Sequence, residues 1–188
     1  MTEKTKRPES VGLLLRVWFL VGVGELVHQI LQITLSYLNR DALVAALRAS
    51  MKDQVDYPEA LLDVSANIAI FGSALMFMAV IGLLMFMLTR IAKQHKWAGT
   101  ARRMWFAFSL FFVFRVLLVF LTQPAGSDAP DWLFALDGVV QILVGVGAAM
   151  ALVFSLREET LEFTGEMEQI RQLEAEQKQK RDREDKGD

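Results

Sequence analysis

The chain has 188 residues, a formal net charge of −2 and no cysteine. Hydrophobic residues make up 53% of it and its mean hydropathy is +0.32, both high for a soluble domain. The lack of cysteine excludes disulfides, thiolate metal sites and thiol catalysis, and the small net charge gives no indication of a nucleic-acid partner. Residues 157–188 are almost wholly polar. We therefore predict a transmembrane domain over 1–156 and a charged cytoplasmic helical tail over 157–188.

Four apolar stretches are each long enough to cross a bilayer, which takes about 20 residues of helix. In chain order they cover about residues 11–38, 64–88, 104–121 and 132–156. A buried helix of a soluble protein could imitate one such stretch, but a chain this short has no room for four. The sequence thus predicts an all-α fold, a four-helix transmembrane bundle.

The distribution of basic residues predicts the orientation of this bundle. The loop between the second and third spans carries five basic residues and no acidic one: Arg90, Lys93, Lys96, Arg102 and Arg103. The N-terminal segment is also basic, whereas the other two loops carry more acidic than basic residues. Because positive loops stay in the cytoplasm, we predict that both termini are cytoplasmic. The five basic residues are expected to contact anionic lipid headgroups.

A short amphipathic helix is predicted in the loop after the first span. Asp41 suits a helix cap, and Leu43, Val44, Leu47 and Met51 recur on one helical face. Such a helix would lie on the outer membrane surface or across the ends of the spans.

The tail has a helical seam of its own. Apolar or small residues recur at alternating steps of four and three: Leu156, Thr160, Phe163, Met167 and Ile170. This spacing is typical of a coiled coil of about two heptads. The seam would serve self-association or docking to another protein, or the tail would be a solvated extension. Beyond Lys178 the sequence has no apolar face, and we predict a frayed or disordered end.

Seven polar side chains fall within the spans and are predicted to form a buried cluster: Glu25, His28, Gln29, Gln32, Arg115, Asp137 and Gln141. Ionisable groups at membrane depth are costly and usually face the interior of the protein, so they mark candidate functional positions.

Two pairings are open within this cluster. Arg115 and Asp137 are equally far in sequence from Gly126, in the last loop, so an antiparallel hairpin would place them at one depth, as a bidentate ion pair. That pair would fix helix register, or serve transport or signalling. Glu25 would be neutral, hydrogen-bonded, or paired with Arg115 in place of Asp137. Together with His28, Glu25 would form a proton relay or a structural hydrogen-bonded stripe.

No motif in the sequence points to catalysis. A glycine-rich phosphate loop, a serine nucleophile motif and a zinc motif are all missing, and His28 is the only histidine within a span, so paired haem ligation is excluded. We predict no enzymatic activity, no cofactor and no metal. An enzyme that acts on lipid, with Glu25 and His28 as acid and base, is the least favoured function, since no nucleophile or metal cluster accompanies them.

One resemblance is carried by the first span. The segment RPxSV at 7–11 precedes a tryptophan-containing span that includes ELVHQ at 25–29. This pattern resembles small uncharacterised four-span membrane proteins of actinobacteria. The resemblance implies a bacterial plasma membrane and supplies no catalytic residue.

The size, the buried polar cluster and the charged tail together predict a non-catalytic accessory or assembly subunit of a larger membrane complex. Its partners would be membrane lipids and a larger membrane protein, with a homo-oligomer as a further possibility. The alternative is a small oligomeric transporter or proton-coupled channel-like protein that uses Glu25, His28, Arg115 and Asp137.

Overall fold

The computed structural model describes residues 7–51, 58–121 and 129–184. Within these ranges all regular secondary structure is helical: α1 (Glu9–Leu38), α2 (Arg40–Met51), α3 (Glu59–Ala92), α4 (Ala98–Val119), α5 (Asp131–Ser155), α6 (Glu158–Phe163) and α7 (Glu166–Glu184). The predicted all-α class is confirmed. Gly126, the predicted centre of the last loop, lies outside the described residues.

Three helices, α1, α3 and α5, are long and apolar enough to cross a membrane. They contain three of the four predicted spans. The fourth, about 104–121, falls largely in α4, which is not among them although it is 22 residues long. The reason is its charge, since α4 carries Arg102, Arg103 and Arg115. By length and composition, the described part of the chain therefore has three helices that could cross a membrane, which is typical of a membrane protein.

The four long helices pack side by side in the ring order α1, α5, α4, α3, so that α1 and α4 face each other across the diagonal. Neighbours run antiparallel. Arg7, just before α1, donates to the Ala92 carbonyl at the end of α3 (3.1 Å), and Arg102 in α4 donates to the Ser155 carbonyl at the end of α5 (3.1 Å). We call this end of the bundle, from which α6 and α7 continue, the tail end, and the opposite one the far end.

Two tryptophans fill the diagonal in the half of the bundle nearer the tail end. The rings of Trp18 and Trp105 stack with centroids 5.5 Å apart. Both indole N–H groups are satisfied, because Trp18 donates to the Ser109 hydroxyl (3.0 Å) and Trp105 donates to the Leu84 carbonyl (2.8 Å). Most of the apolar core surrounds these rings. This half is consequently filled, and the polar cluster lies in the other half.

Glycines allow α5 to approach both of its neighbours. A Cβ atom on Gly24 of α1 would lie 2.6 Å from a methyl group of Val144, and one on Gly145 would overlap Val116 of α4. Small residues at such contacts let helix backbones pack closely in a membrane. Helix α5 therefore packs closely against both α1 and α4.

The predicted helical seam of the tail is interrupted at Gly165. Gly165 has a φ of +77°, a left-handed conformation that glycine adopts easily and that ends a helix. It separates α6 from α7. Thr160 and Phe163, two seam positions, are buried, and the Thr160 hydroxyl donates to the Phe154 carbonyl (2.9 Å). Thr160 and Phe163 thus pack on the chain's own bundle, whereas Leu156 is 60% exposed. Helix α7 continues beyond Lys178, to Glu184.

The helix predicted after the first span is confirmed as α2. Asp41 lies one residue inside the helix, not at its cap. Leu43, Val44 and Leu47 are half-buried on one face. Arg40 holds the helix to α3, because its guanidinium pairs with Asp63 (3.0 Å).

Candidate functional site

The central charged contact of the bundle joins Arg115 to Glu25 across the α1–α4 diagonal. Arg115 Nη1 donates to Glu25 Oε2 (2.8 Å), and Nη2 donates to Oε1, so the pair is bidentate. Glu25 is 3% exposed and lies near the midpoint of α1. Of the two pairings that the sequence leaves open for Arg115, the structure has the one with Glu25, and Asp137 is not its partner.

Asp137 is held by three other donors. Its Oδ1 accepts from His28 Nδ1 (2.5 Å), and its Oδ2 accepts from the side-chain amides of Gln32 (2.8 Å) and Gln141 (2.8 Å). An ionised carboxylate can only accept, so with Asp137 ionised the imidazole proton in this bond lies on Nδ1. Both carboxylate oxygens are thereby satisfied, at the α1–α5 contact.

The structure brings the seven predicted side chains close together, and all of them except Gln29 are hydrogen-bonded. Six of the seven take part in the two centres just described, whereas the Gln29 amide makes no hydrogen bond within the described residues. Arg115 also lies over the ring of Phe112, with its guanidinium carbon 5.3 Å from the centroid, a cation–π contact that shields the charge.

A second charged centre, which sequence reasoning missed, lies at the tail end. Arg102 and Glu166 are buried and form an ion pair through Arg102 Nε and Nη2. Arg103 Nε adds a second contact to Glu166 (3.0 Å). The pair connects α4 to the first residue of α7, across 64 positions of sequence. Nothing local in the sequence marks it, because a basic loop residue and a tail glutamate are each ordinary surface residues.

The predicted headgroup contacts need one correction as a result. Arg102 is 8% exposed and paired, so it is not free to meet lipid. It and Arg103 belong to α4, not to a loop. Lys93 and Lys96 are exposed between α3 and α4, and Arg90 lies over the Phe86 ring at 4.5 Å. These three retain the predicted role as an expectation.

A cavity of about 480 Å³ borders the central pair. It lies between α1, α3 and α4 in the half of the bundle nearer the far end, and both Glu25 and Arg115 line it. Among the described residues no group of three His, Asp or Glu side chains is placed to hold a metal ion. The site therefore combines internally neutralised charges with an apolar space, an arrangement suited to holding helices together and to binding a molecule.

No protein-family model, curated protein or solved structure matches this chain. The likeness of 7–11 and 25–29 to actinobacterial four-span proteins remains a prediction. A function must consequently be argued from the geometry of the site and not from the fold.

Proposed function

We propose that this chain is a non-catalytic integral membrane protein that crosses the bilayer four times and acts as an accessory or assembly subunit of a larger membrane complex. The proposal has three parts, which are the fourth crossing, the orientation and the recruitment of a partner through α7.

The fourth crossing would be made by α4. This helix lies in the same bundle as α1, α3 and α5 and runs antiparallel to α3 and α5. If its neighbours span the membrane, α4 lies at the same depth. The usual objection is the cost of arginine in lipid. Here Arg115 faces Glu25 and Arg102 faces Glu166, so both charges are neutralised inside the protein.

The tail end would face the cytoplasm of a bacterial cell. Basic residues are concentrated there, in and around the ends of α1, α3 and α4: Arg7, Arg16, Arg90, Lys93, Lys96, Arg102 and Arg103. The positive-inside rule supports this orientation. Both termini would then be cytoplasmic, and Lys93 and Lys96 would lie at the level of anionic headgroups.

The proposal rests mainly on α7, a helix that is anchored to the bundle at its first residue and exposed beyond it. Its first residue, Glu166, is locked to α4 by Arg102 and Arg103, so the helix leaves the bundle from a fixed point. Beyond that point its described side chains are largely exposed, including Ile170 (38%) and Leu173 (59%). A merely solvated tail needs no buried ion pair at its base. We infer that α7 is held in place to meet a helix of a larger membrane protein through Ile170 and Leu173.

The substitution Leu173→Glu is expected to abolish co-purification of that partner. It puts a charge on the apolar strip that the partner would cover, while the exposure of Leu173 leaves the fold of the bundle intact. The measurement is crosslinking in cells, purification in a mild detergent, and mass spectrometry of what accompanies the chain.

Ala175→Glu is the matched control, because it adds the same charge to an exposed position about 160° from Leu173 around α7. It should leave co-purification unchanged. Recovery of the intact chain alone would contradict the proposal, as would equal recovery of the partner with both variants. Recovery of a second copy as the sole companion would replace the accessory role with homo-oligomerisation.

A transport function is the second candidate, and the cavity favours it because Glu25, His28 and Arg115 all line it. It predicts that vesicles containing the chain pass protons down a pH gradient, read by a trapped pH-sensitive dye, and that Glu25→Gln stops the flux. Glu168→Gln, on the exposed part of α7, is the control that should leave flux unchanged. Vesicles of the intact chain that are as tight as empty vesicles would end this candidate.

A further inference from the structure

The cavity between α1, α3 and α4 has the size and accessibility of a ligand site. Its volume of about 480 Å³ is within the range of small-molecule pockets. It also reaches the surface of the bundle, since Met76 and Phe77 line it and are both exposed. In a membrane that surface meets lipid, so a molecule dissolved in the bilayer could enter from the side.

The wall of the cavity is apolar and partly aromatic. Four phenylalanines from α3 and α4 contribute to it: Phe77, Phe108, Phe111 and Phe112. Aromatic rings pack favourably against other flat rings, in offset or edge-to-face arrangements. A ring-containing molecule therefore fits this wall better than a branched or strongly polar one.

The charges that line the cavity favour a neutral occupant. Glu25 and Arg115 neutralise each other through a bidentate pair, although Arg115 Nε is buried without a hydrogen-bond partner among the described residues. The His28 nitrogen that faces Asp137 is bonded to it. A charged ligand would have to displace one of these partners, which leaves a buried charge unpaired.

Gln29 offers a neutral ligand a polar group with which to form a hydrogen bond. It is 7% exposed, lines the cavity, and makes no hydrogen bond within the described residues. Its amide is therefore available to a molecule in the cavity. Ser36, two turns further along α1, lines the cavity too. An oxygen on the ligand would accept a hydrogen bond from the Gln29 amide.

We propose that this cavity binds a neutral, lipid-soluble ring compound that carries a carbonyl or hydroxyl oxygen, with the ring against the phenylalanines and the oxygen hydrogen-bonded to Gln29. A quinone or phenol of the bilayer has this chemistry. The site is a binding site, distinct from the partner surface on α7.

The test uses the full chain in nanodiscs, titrated calorimetrically with a short-tailed naphthoquinone and corrected with empty nanodiscs. We expect saturable binding to one site per chain. Gln29→Leu should weaken it about tenfold, the effect of losing one well-placed hydrogen bond. The same change at an exposed glutamine of α7, Gln172→Leu, should leave it unchanged. An alkylnaphthalene of equal size, which lacks the oxygens, should bind about tenfold more weakly than the quinone.

Two filling variants complete the experiment. Ala74→Phe would occupy the cavity from α3 and should remove binding. Because Ala74 is buried, Ser73→Phe is made alongside it, at an exposed residue of the cavity lining, and should weaken binding without unfolding the chain. The absence of saturable binding would overturn the proposal. Equal affinity for the hydrocarbon, together with no effect of Gln29→Leu, would also overturn it and make the cavity a crevice for lipid chains.

Discussion

Replacing Arg115 with leucine is expected to lower the free energy of unfolding by about 3–5 kcal/mol, the usual cost of breaking a buried ion pair. Glu25 would be left without its bidentate partner in a place from which water is almost excluded. The cost comes mainly from the stranded carboxylate and not from the attraction that is lost. Unfolding of the purified chain by sodium dodecyl sulfate, followed by circular dichroism, measures it.

The double variant Glu25→Leu, Arg115→Leu distinguishes these two contributions. Because it removes both charges, it should be more stable than Arg115→Leu alone, within about 1–2 kcal/mol of the intact chain. Arg16→Leu, at an exposed arginine of α1, should change little. If Arg115→Leu unfolds at the same detergent fraction as the intact chain, the pair does not hold α1 and α4 together.

The helices could be predicted from the sequence because each depends on local composition. Apolar runs of sufficient length give α1, α3 and α5, and Pro58 immediately precedes the first residue of α3. The ends of the helices are less predictable, since α3 begins at Glu59, five residues before the apolar run that starts at Val64. Hydropathy shows where the apolar run begins and ends. It does not show where the backbone hydrogen bonds of the helix begin and end.

The partner of Arg115 could not be predicted in this way, because equal depth does not fix the direction of a side chain. On α5, Gly138 and Gly145 face α4, where they meet Val119 and Val116. Asp137 precedes Gly138 by one residue and is rotated by about 100°. That rotation turns it from α4 towards His28 on α1. Arg115, without a carboxylate on α5, reaches across the diagonal to α1 instead.

The tail shows a second limit of sequence patterns. Steps of four and three predict one apolar face, but they do not say what covers it. Thr160 and Phe163 are covered by the chain's own bundle, whereas Ile170 and Leu173 remain exposed. The change occurs at Gly165, whose φ of +77° redirects the chain. The ion pair that fixes this arrangement, Arg102–Glu166, depends on tertiary packing and leaves no periodic signal.

Asp137→Ala is the second substitution with a large expected effect. Three donors, on His28, Gln32 and Gln141, lose their acceptor at once. At about 1 kcal/mol for each hydrogen bond, we expect a loss of about 3 kcal/mol in the free energy of unfolding. Asp137→Asn keeps one acceptor oxygen and should cost less. Asp131→Ala, at an exposed aspartate in the first turn of the same helix, is the control and should change little.

Histidine spectroscopy tests the same contact without unfolding the chain. The sequence has two histidines, His28 and His95, so selective ¹⁵N labelling gives one pair of ring signals from α1 and one from the segment between α3 and α4. Asp137→Asn should shift the ring signals of His28, whose Nδ1 proton loses a carboxylate acceptor, and leave those of His95 in place. Unshifted His28 signals would show that the imidazole does not face Asp137. Shifted signals together with unchanged stability would mean that the contact exists but does not hold α1 to α5, and the carboxylate would then be available for a role other than helix packing.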